Sequence, residues 1–555
     1  MKQFRSESGG VRLLALALVA VVGLGVYAVI LRGHESRVAV AKAPQKSVLS
    51  SYAPAAKVVA HAVPASKPKA AVTVAPAQSE APHPARALRQ EAPAVRPASA
   101  APAQTAADPE PHPEGPRVAT ETPPPPPEPL VISDAQVVAL SPSTAQITFH
   151  TNLPATTRAS YGIDSPTVWT AAEPSGTLDH QSVLTGLSFS TTYEVALHAV
   201  DEWNQTQTAT LTLVTEPMSN RTTATTSADR ILLDGQPFFP LAVWSQCSDG
   251  YAQNLADGIN LFMGDGCGKT DRQLAAHLGG RAFSIVSSTD ADADGRGVIG
   301  WYFPDEWDAF LESTVTRDDL RKSIPDAQPG RISFLTVTNH FYSHAAPLPQ
   351  GRGMYPALYS LADVVGFDLY PLQVWCKPAF GDVFDSQHEL SDVTGGKPTF
   401  QWIEVAPMEH ACADDPNLDP TAATVRAETW LAVAGGADGI GYFPNRWGRG
   451  IGDEIARTNR QIQTLSPVLL APTVPATTDA PAVKVSARTL NGALYVIAVN
   501  TSSETIQTKI SVDGINGRSA AVLGDGGVVG SDDKGFTDTF APLAAKVFVV
   551  PPQGW

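Results

Sequence analysis

Residues 297–308 read GVIGWYFPDEWD, an apolar run of strand length that ends in a group of acidic side chains. Seven further apolar runs of similar length occur in the same part of the chain, and helical stretches separate most of them. The predicted helices include 270–278, 307–324, 354–362, 421–435 and 453–470. The eight runs are 238–244, 258–264, 282–288, 297–303, 331–337, 363–370, 398–405 and 436–443. Strands that alternate with helices indicate a parallel sheet, and eight such units in about 240 residues predict a (β/α)8 barrel over residues 229–470.

Other kinds of segment surround the predicted barrel. Residues 130–216 and 473–555 show short alternating strands with turn residues between them, which predicts a β-sandwich before the barrel and a smaller one after it. Residues 38–130 hold 20 of the 47 prolines and almost no aromatic side chain. Such a segment buries too little apolar surface to offset its ordering entropy. We therefore expect a disordered linker over residues 32–129.

The N-terminus carries an uncharged apolar run, LLALALVAVVGLGVYAVI, over residues 13–30. Eighteen residues are just enough to span a bilayer, so we predict a transmembrane signal anchor over 13–31 with a cytoplasmic tail over 1–12. The alternative is a signal peptide cleaved near residues 39–41, which read AVA. Both interpretations place the later domains outside the cytoplasm, in the periplasm or the extracellular space.

Charge is distributed unevenly between the two parts of the chain. Residues 1–130 contain 14 Lys and Arg against 9 Asp and Glu, whereas the remainder contains 25 and 46, a net charge near -21. Nucleic-acid binding normally needs a clustered basic surface, so this balance argues against a nucleic-acid partner. A neutral polysaccharide remains compatible.

Four cysteines, an even number in a chain expected to be exported, indicate two disulfide bonds; four unpaired buried thiols are the alternative. Cys247 and Cys267 follow predicted strands one and two, and Cys376 and Cys412 follow strands six and seven. We therefore predict one bond within each of these pairs. No CxxC spacing supports a metal site.

Acidic residues stand at the ends of two predicted barrel strands. Glu306 follows strand four, and Glu404 ends strand seven. Active sites of such barrels lie at the carboxyl ends of the strands, where these two glutamates can face each other. Glycoside cleavage uses a protonated acid and a second carboxylate, so the pair predicts a glycosidase site. The alternative is that both glutamates have no catalytic role and form ion pairs with basic side chains at the rim of the barrel.

The barrel resembles the superfamily of retaining glycoside hydrolases that carry the acid/base on strand four and the nucleophile on strand seven. The resemblance implies that Glu306 is the acid/base and Glu404 the nucleophile. It also implies that Tyr370 hydrogen-bonds the nucleophile and that Trp447 forms the floor of a sugar subsite. The superfamily usually has asparagine where this chain has Asp305, so the substrate contact there differs.

An Asp-Glu pair after strand four also resembles the hexosaminidases that use the substrate's own acetamido group as nucleophile. In that alternative Asp305 orients the acetamido group, Glu306 is the acid, and Glu404 has no role. Further residues at strand ends are candidates for sugar subsites or, equally, for rim packing. They are Trp244, Asp265, Trp301, Asn339, His340 and Trp402.

The remaining inferences concern ligands and rival functions. His340, His344 and Asp368 lack a compact ligand spacing, so we predict no metal site and no cofactor.

The motif GLSFSTTYEVALHAVD, with Leu187 six residues before Tyr193, resembles the tyrosine corner of fibronectin type III modules. Rival functions are a non-catalytic carbohydrate-binding or wall-attachment protein and a membrane-tethered scaffold. The sequence leaves the sugar, the linkage and the oligomeric state open.

Overall fold

A computed structural model of the chain describes residues 128–555 except 175, 268–270, 289–294, 312–316, 323, 326–327, 409–411 and 413–414. The predicted cytoplasmic tail, the membrane anchor and the linker up to residue 127 lie outside the described residues. Within the described part of the chain, no helix combines the length and the apolar character needed to cross a bilayer.

The first domain consists of two β-sheets. Its strands are β1 (Ile132–Ser141), β2 (Thr144–Thr151), β3 (Ala155–Gly162), β4 (Val168–Trp169), β5 (Asp179–Leu184), β6 (Thr192–Asp201) and β7 (Thr206–Val214). They form two sheets in the orders β1-β2-β5 and β4-β3-β6-β7. Alternate residues of β6 are buried between the sheets. The Tyr193 hydroxyl accepts a hydrogen bond from the Ser188 N–H at 2.8 Å. Membership of the fibronectin type III family stays a prediction.

A small antiparallel sheet connects this sandwich to the barrel. It consists of β8 (Ala224–Ser227), β9 (Arg230–Leu233) and β10 (Gln236–Phe238). The Ala224 N–H donates to the Gly330 carbonyl at 2.8 Å, just before the fifth barrel strand begins. The sheet therefore lies at the amino ends of the barrel strands. The predicted barrel start at residue 229 falls between β8 and β9.

The central domain is a closed barrel of eight parallel strands. The strands are β11 (Leu241–Gln246), β12 (Leu261–Asp265), β13 (Phe283–Ser287), β14 (Val298–Tyr302), β15 (Ile332–Thr338), β16 (Val364–Asp368), β17 (Thr399–Glu404) and β18 (Gly439–Phe443). β18 pairs with β11 and closes the ring. Each strand lies within a few residues of its predicted position, and the predicted barrel is confirmed.

Large aromatic side chains from β17 fill the barrel interior. Phe400 and Trp402 belong to the inner core, together with residues from the other strands. A Cβ at Gly366 would lie 2.2 Å from the Phe400 ring, and a Cβ at Gly441 would lie 2.2 Å from the Trp402 ring. Glycines on the two neighbouring strands therefore make room for the aromatic residues of β17.

Helices surround the barrel. They are α1 (Tyr251–Ala256), α2 (Asp271–Leu278), α3 (Arg317–Lys322), α4 (Tyr355–Tyr359), α5 (Phe380–Val393), α6 (Ala422–Gly435) and α7 (Arg449–Leu469). Our prediction did not include α1 or α5. α6 begins with a capping box between Thr421 and Thr424 and ends at Gly436, which has a φ of 107°.

The single long helix predicted over residues 307–324 is wrong. The structure has a 3-10 helix at Trp307–Phe310 and a separate helix, α3, and Leu311 between them is extended. Asp308 provides the physical reason. Its carboxylate binds Thr338 at the end of β15, which ties the start of the segment to the barrel instead of to a continuous helix.

The last domain also consists of two β-sheets. Its strands are β19 (Thr473–Val474), β20 (Ala476–Thr478), β21 (Val483–Leu490), β22 (Ala493–Asn500), β23 (Ile506–Val512), β24 (Ala520–Val522), β25 (Val528–Val529), β26 (Gly535–Phe540) and β27 (Ala545–Val550). The buried Arg488 guanidinium donates to the carbonyls of Leu469 and Val433 at 2.9 and 3.1 Å. These bonds join the sandwich to α7 and α6.

Candidate active site

The loop after β14 presents Glu306 at the carboxyl face of the barrel. Glu306 has a φ of 46°, in the left-handed region that non-glycine residues rarely adopt. The fully buried Asp308 holds this loop in place. Asp308 accepts hydrogen bonds from the backbone and hydroxyl of Thr338 at 2.9 and 2.6 Å and from the Tyr355 hydroxyl at 2.8 Å. The strand-four loop is thus fastened across the end of β15.

This arrangement brings Glu306 to Asp368, the last residue of β16. Thr338 and Asp368 are direct neighbours in the register between β15 and β16. A hydrogen bond between the two carboxyl groups lowers the pKa of Glu306 and raises that of Asp368. Asp368 Oδ1 is buried and has no hydrogen-bond donor among the described residues. A contact between two carboxyl groups requires a proton between them.

Burial and mutual repulsion raise the pKa values of this acidic group. Desolvation is the largest cause for Asp305, Glu306 and Asp368 alike. The pKa of Asp305 rises to about 7, with Glu306 as the second cause, although the Asp305 side chain keeps contact with solvent. The pKa of Asp368 rises well above its usual value, with the Glu306 charge as the second cause. The site is therefore able to retain a proton near neutral pH.

Few positive charges offset this repulsion. The hydrogen bond with Asp368 and, more weakly, the His340 imidazole lower the pKa of Glu306, but they do not cancel the effect of desolvation. Within the described ranges, no lysine or arginine forms an ion pair with Asp305, Glu306 or Asp368. The alternative, in which Glu306 only forms an ion pair with a basic side chain, has no such side chain among the described residues.

Glu404 occupies a different environment. It is fully buried, and its two oxygens accept the backbone N–H groups of Leu372 and Gln373, each at 2.8 Å. It also lies in hydrogen-bonding contact with Glu428, a buried residue of α6. Desolvation raises the pKa of Glu404 to about 7 and that of Glu428 well above its usual value. Each predicted glutamate thus has another carboxyl group as its neighbour, Asp368 for Glu306 and Glu428 for Glu404.

Tyr370 lies in the barrel interior and stacks on Phe443 at 5.9 Å between ring centroids. Desolvation first, and then the charge of Asp368, raise the pKa of Tyr370 well above its usual value. The charges of Asp305, Glu306 and Glu404 act in the same direction. Tyr370 is therefore a neutral hydroxyl donor close to all the candidate carboxyl groups.

Two of the predicted subsite tryptophans lie together in this region. Trp244 contacts Trp402 edge to face at 6.0 Å and Tyr302 at 5.0 Å between ring centroids. The Trp402 indole N–H donates to Thr336 at 3.2 Å. Trp244 is only partly buried, whereas Trp402 is almost fully buried. Of the two, Trp244 is the one with surface available to a ligand.

The other two tryptophans lie away from the interior. Trp301 is buried in the core outside the barrel interior, with its ring 4.7 Å from that of Phe303. The Trp447 indole donates to Asp257, at the end of α1, at 2.8 Å. Trp447 therefore belongs to the helical layer around the barrel in this structure.

The three polar residues predicted to line sugar subsites differ in their contacts and exposure. Asp265 accepts hydrogen bonds from the Tyr251 hydroxyl and the Cys267 N–H, each at 2.9 Å. The His340 ring binds the Ala346 carbonyl at 2.6 Å. Asn339 is partly exposed at the end of β15. Asp265 and His340 thus have structural partners of their own, and the His340 imidazole also lowers the pKa of Glu306.

Both predicted disulfides are confirmed. Cys247 bonds Cys267, and Cys376 bonds Cys412, with a Cα–Cα distance of 5.3 Å in each. The bonds connect the loops after β11 and β12 and the loops after β16 and β17. Both therefore brace the carboxyl face of the barrel. A search of the described residues finds no group of three or more His, Cys, Asp or Glu suited to a metal ion.

The sequence analysis named Asp368 only as a possible metal ligand and did not name Glu428. Asp368 ends a barrel strand just as Glu404 does, so the rule that selected strand-end acids would also have selected it. Glu428 lies within α6 among residues that are nearly all buried. An acidic residue in such an apolar helix is a signal that the sequence does contain.

Comparisons with known proteins give only distant structural matches. No protein-family model matches the sequence, and no curated protein matches it. Among solved structures, the α-amylase of Geobacillus thermoleovorans is 11% identical with a TM-score of 0.39, covering 57% of this chain and 98% of its own. The GH30 endoxylanase of Clostridium papyrosolvens is 14% identical with a TM-score of 0.37, covering 56% and 96%. The β-glucuronidase of Ruminococcus gnavus is 9% identical with a TM-score of 0.32, covering 60% and 68%. Similarity at this level carries no argument about activity.

Proposed function

We propose that this protein is a glycoside hydrolase that cleaves a polysaccharide or cell-wall glycan, with Glu306 as the proton donor. The observation that carries the proposal is the position of Glu306, which has a raised pKa and stands at the carboxyl face of an eight-stranded parallel barrel. Functional sites of this fold lie on that face. A raised pKa keeps the proton on a carboxyl group to higher pH, which suits the proton donor in the cleavage of an acetal.

In the proposed reaction, Glu306 delivers its proton to the glycosidic oxygen while the bond from that oxygen to the anomeric carbon breaks. Positive charge develops on the sugar ring, and the ionised carboxylates nearby stabilise it. Trp244 offers a partly exposed aromatic face for a sugar. No cofactor enters the proposal.

One version of the proposal keeps Glu404 as the nucleophile of a retaining reaction. Support comes from its position at the end of β17 and from its influence on the pKa of Tyr370. In this version the Glu404 carboxylate must reach the anomeric carbon, so it must leave at least one of its backbone hydrogen bonds. Glu404→Gln should then abolish cleavage, and azide should restore it through an azido-sugar product.

A second version is the substrate-assisted reaction, which one specific observation favours. Asp305 lies beside Glu306, accepts its backbone N–H and keeps contact with solvent. An acetamido group of the substrate could therefore reach Asp305. In this version Asp305→Asn impairs cleavage of N-acetylated glycans, and glycans without acetamido groups are not cleaved by the wild-type enzyme.

The proposal also includes the cellular location of the protein. We propose that residues 13–31 anchor the protein in a membrane and that the domains described above face the periplasm or the cell exterior. Two disulfides support an oxidising compartment. Protease treatment of intact cells or spheroplasts should digest these domains while a cytoplasmic marker survives. Full protection of the domains would contradict the proposed location.

The test of function is a product-detected screen of polysaccharides and cell-wall glycans. The wild-type protein should release reducing ends from at least one of them, and Glu306→Gln should lower the rate by a factor of about 100 to 10,000, the usual contribution of an acid catalyst. Glu504→Gln, on an exposed turn of the last domain, is the matched control and should keep full activity. Equal cleavage by wild type and Glu306→Gln would refute the proposed role of Glu306.

The same screen separates the rival functions. A non-catalytic carbohydrate-binding protein would bind a glycan without releasing products, and Glu306→Gln would leave that binding unchanged. Release of products by the wild type excludes this alternative.

A further inference from the structure

We propose that Asp308 is a positioning residue that holds the proton donor Glu306 in place through the backbone of the strand-four loop. The inference rests on the proposed hydrolase function and deepens it, because it identifies the group that aims the acid at the glycosidic oxygen. Asp308 belongs to the same acidic group as Glu306, at residues 305–308, but its side chain is fully buried. A fully buried side chain does not contact a substrate, so Asp308 acts only through the residues that it binds.

The first support is the set of hydrogen bonds that Asp308 accepts. Its Oδ1 atom accepts the Thr338 N–H at 2.9 Å. Its Oδ2 atom accepts the hydroxyls of Thr338 and Tyr355 at 2.6 and 2.8 Å. Thr338 ends β15, Tyr355 begins α4, and both side chains are buried. The strand-four loop is therefore fixed both to a barrel strand and to a helix of the surrounding layer.

The second support is that the loop is fixed on both sides of Glu306. On the amino side, the Phe303 N–H donates to the Phe334 carbonyl of β15 at 2.8 Å. On the carboxyl side, Asp308 follows after two residues. Between these points Glu306 has a φ of 46°, and its carbonyl accepts the Ala309 N–H at 2.9 Å. Non-glycine residues keep such a left-handed conformation where the surrounding structure imposes it. The hydrogen bonds of Asp308 supply part of that structure.

The attachment tolerates either protonation state of Asp308. Burial raises the pKa of Asp308, and the hydrogen bonds from Thr338 and Tyr355 oppose that rise. Threonine and tyrosine hydroxyls can donate or accept a hydrogen bond, so they remain partners of a neutral side chain. An asparagine at this position can therefore keep most of the hydrogen bonds, whereas an alanine loses all three.

The consequence for the reaction is geometric. The glycosidic oxygen keeps the electron pair of the broken bond and takes the proton of Glu306, which must lie within hydrogen-bonding distance of it. A misplacement of about 1 Å can lower a rate by a factor of about 100. A loop released from Asp308 still carries Glu306, but it no longer holds the carboxyl group at a fixed distance from the oxygen. Cleavage suffers only where the leaving oxygen needs that proton.

The test compares kcat/KM for two substrates, a glycan that the wild type cleaves and a dinitrophenyl glycoside of the same sugar. Dinitrophenolate is a stable anion that leaves without a proton, whereas the sugar oxygen of the glycan needs one. We expect Asp308→Ala to lower kcat/KM on the glycan by a factor of about 100 and to change it much less on the dinitrophenyl glycoside. Tyr355→Phe and Thr338→Val each remove one hydroxyl and should show smaller losses with the same dependence on the leaving group.

Two further variants complete the comparison. Asp308→Asn should restore most of the rate that Asp308→Ala loses, because it keeps most of the hydrogen bonds. Asp392→Asn is the matched control because Asp392 is exposed on α5, and its rates on both substrates should equal those of the wild type. Melting curves of each variant verify folding. If Asp308→Ala does not fold, Tyr355→Phe provides the same comparison with a milder change.

Glu306→Gln is the reference, because removal of the acid itself should give the largest dependence on the leaving group. Suppose that Glu306→Gln shows this dependence, whereas Asp308→Ala and Tyr355→Phe lose the same factor on both substrates or lose nothing. The positioning role is then overturned and the hydrolase function stands. If Glu306→Gln shows no such dependence, Glu306 is not the proton donor, and the inference fails with it.

A measurement without substrate covers a protein that cleaves no glycan. Hydrogen exchange followed by mass spectrometry reports how often the backbone N–H groups of residues 303–311 open. Exchange there should be faster in Asp308→Ala and Tyr355→Phe than in the wild type, and unchanged in the last domain, residues 473–555. Unchanged exchange in residues 303–311 overturns the attachment. Faster exchange in a protein that cleaves no glycan leaves the attachment standing and refutes the hydrolase function.

Discussion

Glu428→Gln tests whether the buried pair of Glu404 and Glu428 makes the barrel sensitive to pH. Glu428 is fully buried on α6, and burial followed by the charge of Glu404 raises its pKa well above the usual value. In the folded protein Glu428 therefore donates its proton to Glu404. Glutamine has nearly the same shape, and its amide N–H replaces that O–H donor. The substitution removes a titrating group while keeping the hydrogen bond.

The magnitude follows from the linkage between protons and stability. A group with a raised folded pKa stabilises the protein fully below its unfolded pKa, and this stability is lost as pH rises toward the folded pKa. For each proton that only the folded state retains, the free energy of unfolding falls by about 1.4 kcal/mol for each unit of rising pH. From about pH 5 to about pH 7, Glu428 alone should therefore reduce the stability of the wild type by about 3 kcal/mol. Glu428→Gln should lack this contribution.

Urea denaturation followed by tryptophan fluorescence at the two pH values measures this difference. The loss of stability on going to the higher pH should be smaller in Glu428→Gln than in the wild type by about 3 kcal/mol. Glu504→Gln should behave like the wild type. Identical pH dependence in wild type and Glu428→Gln would show that Glu428 ionises freely and that the two carboxyl groups do not share a proton.

Two further predictions concern the frame of the site. Gly441→Ala places a Cβ 2.2 Å from the Trp402 ring. We expect the free energy of unfolding, measured by urea denaturation, to fall by at least about 1–3 kcal/mol. Gly448→Ala, with open space around the new Cβ, should have a much smaller effect. A wild-type value for Gly441→Ala would mean that Trp402 can move aside. Replacing Cys376 and Cys412 together by serine opens a loop with a sequence separation of 36, and chain entropy gives an upper estimate of about 4 kcal/mol for the lost stability. Unchanged stability and unchanged protease resistance of these loops would contradict that expectation.

The architecture follows from patterns that are local in the sequence. Apolar runs of strand length alternate with helical stretches, and the eight barrel strands lie close to their predicted positions. The disulfide pairing follows as well, because loops after neighbouring parallel strands emerge on the same face. The helix predicted across residue 311 failed because a tertiary contact of Asp308 overrides local helix propensity.

In the candidate site, too, local sequence patterns predict some features, and only tertiary contacts determine the others. The sequence alone placed Glu306, Tyr370 and Glu404 at one face of the barrel, because all parallel strands of a barrel end on the same side. Only the tertiary structure decided which carboxyl groups touch. Asp308 bonds across β15 to carry Glu306 to Asp368, and Glu428 arrives beside Glu404 from a helix behind the strand. These contacts join residues distant in the chain, and each depends on a loop or helix position that no local pattern specifies.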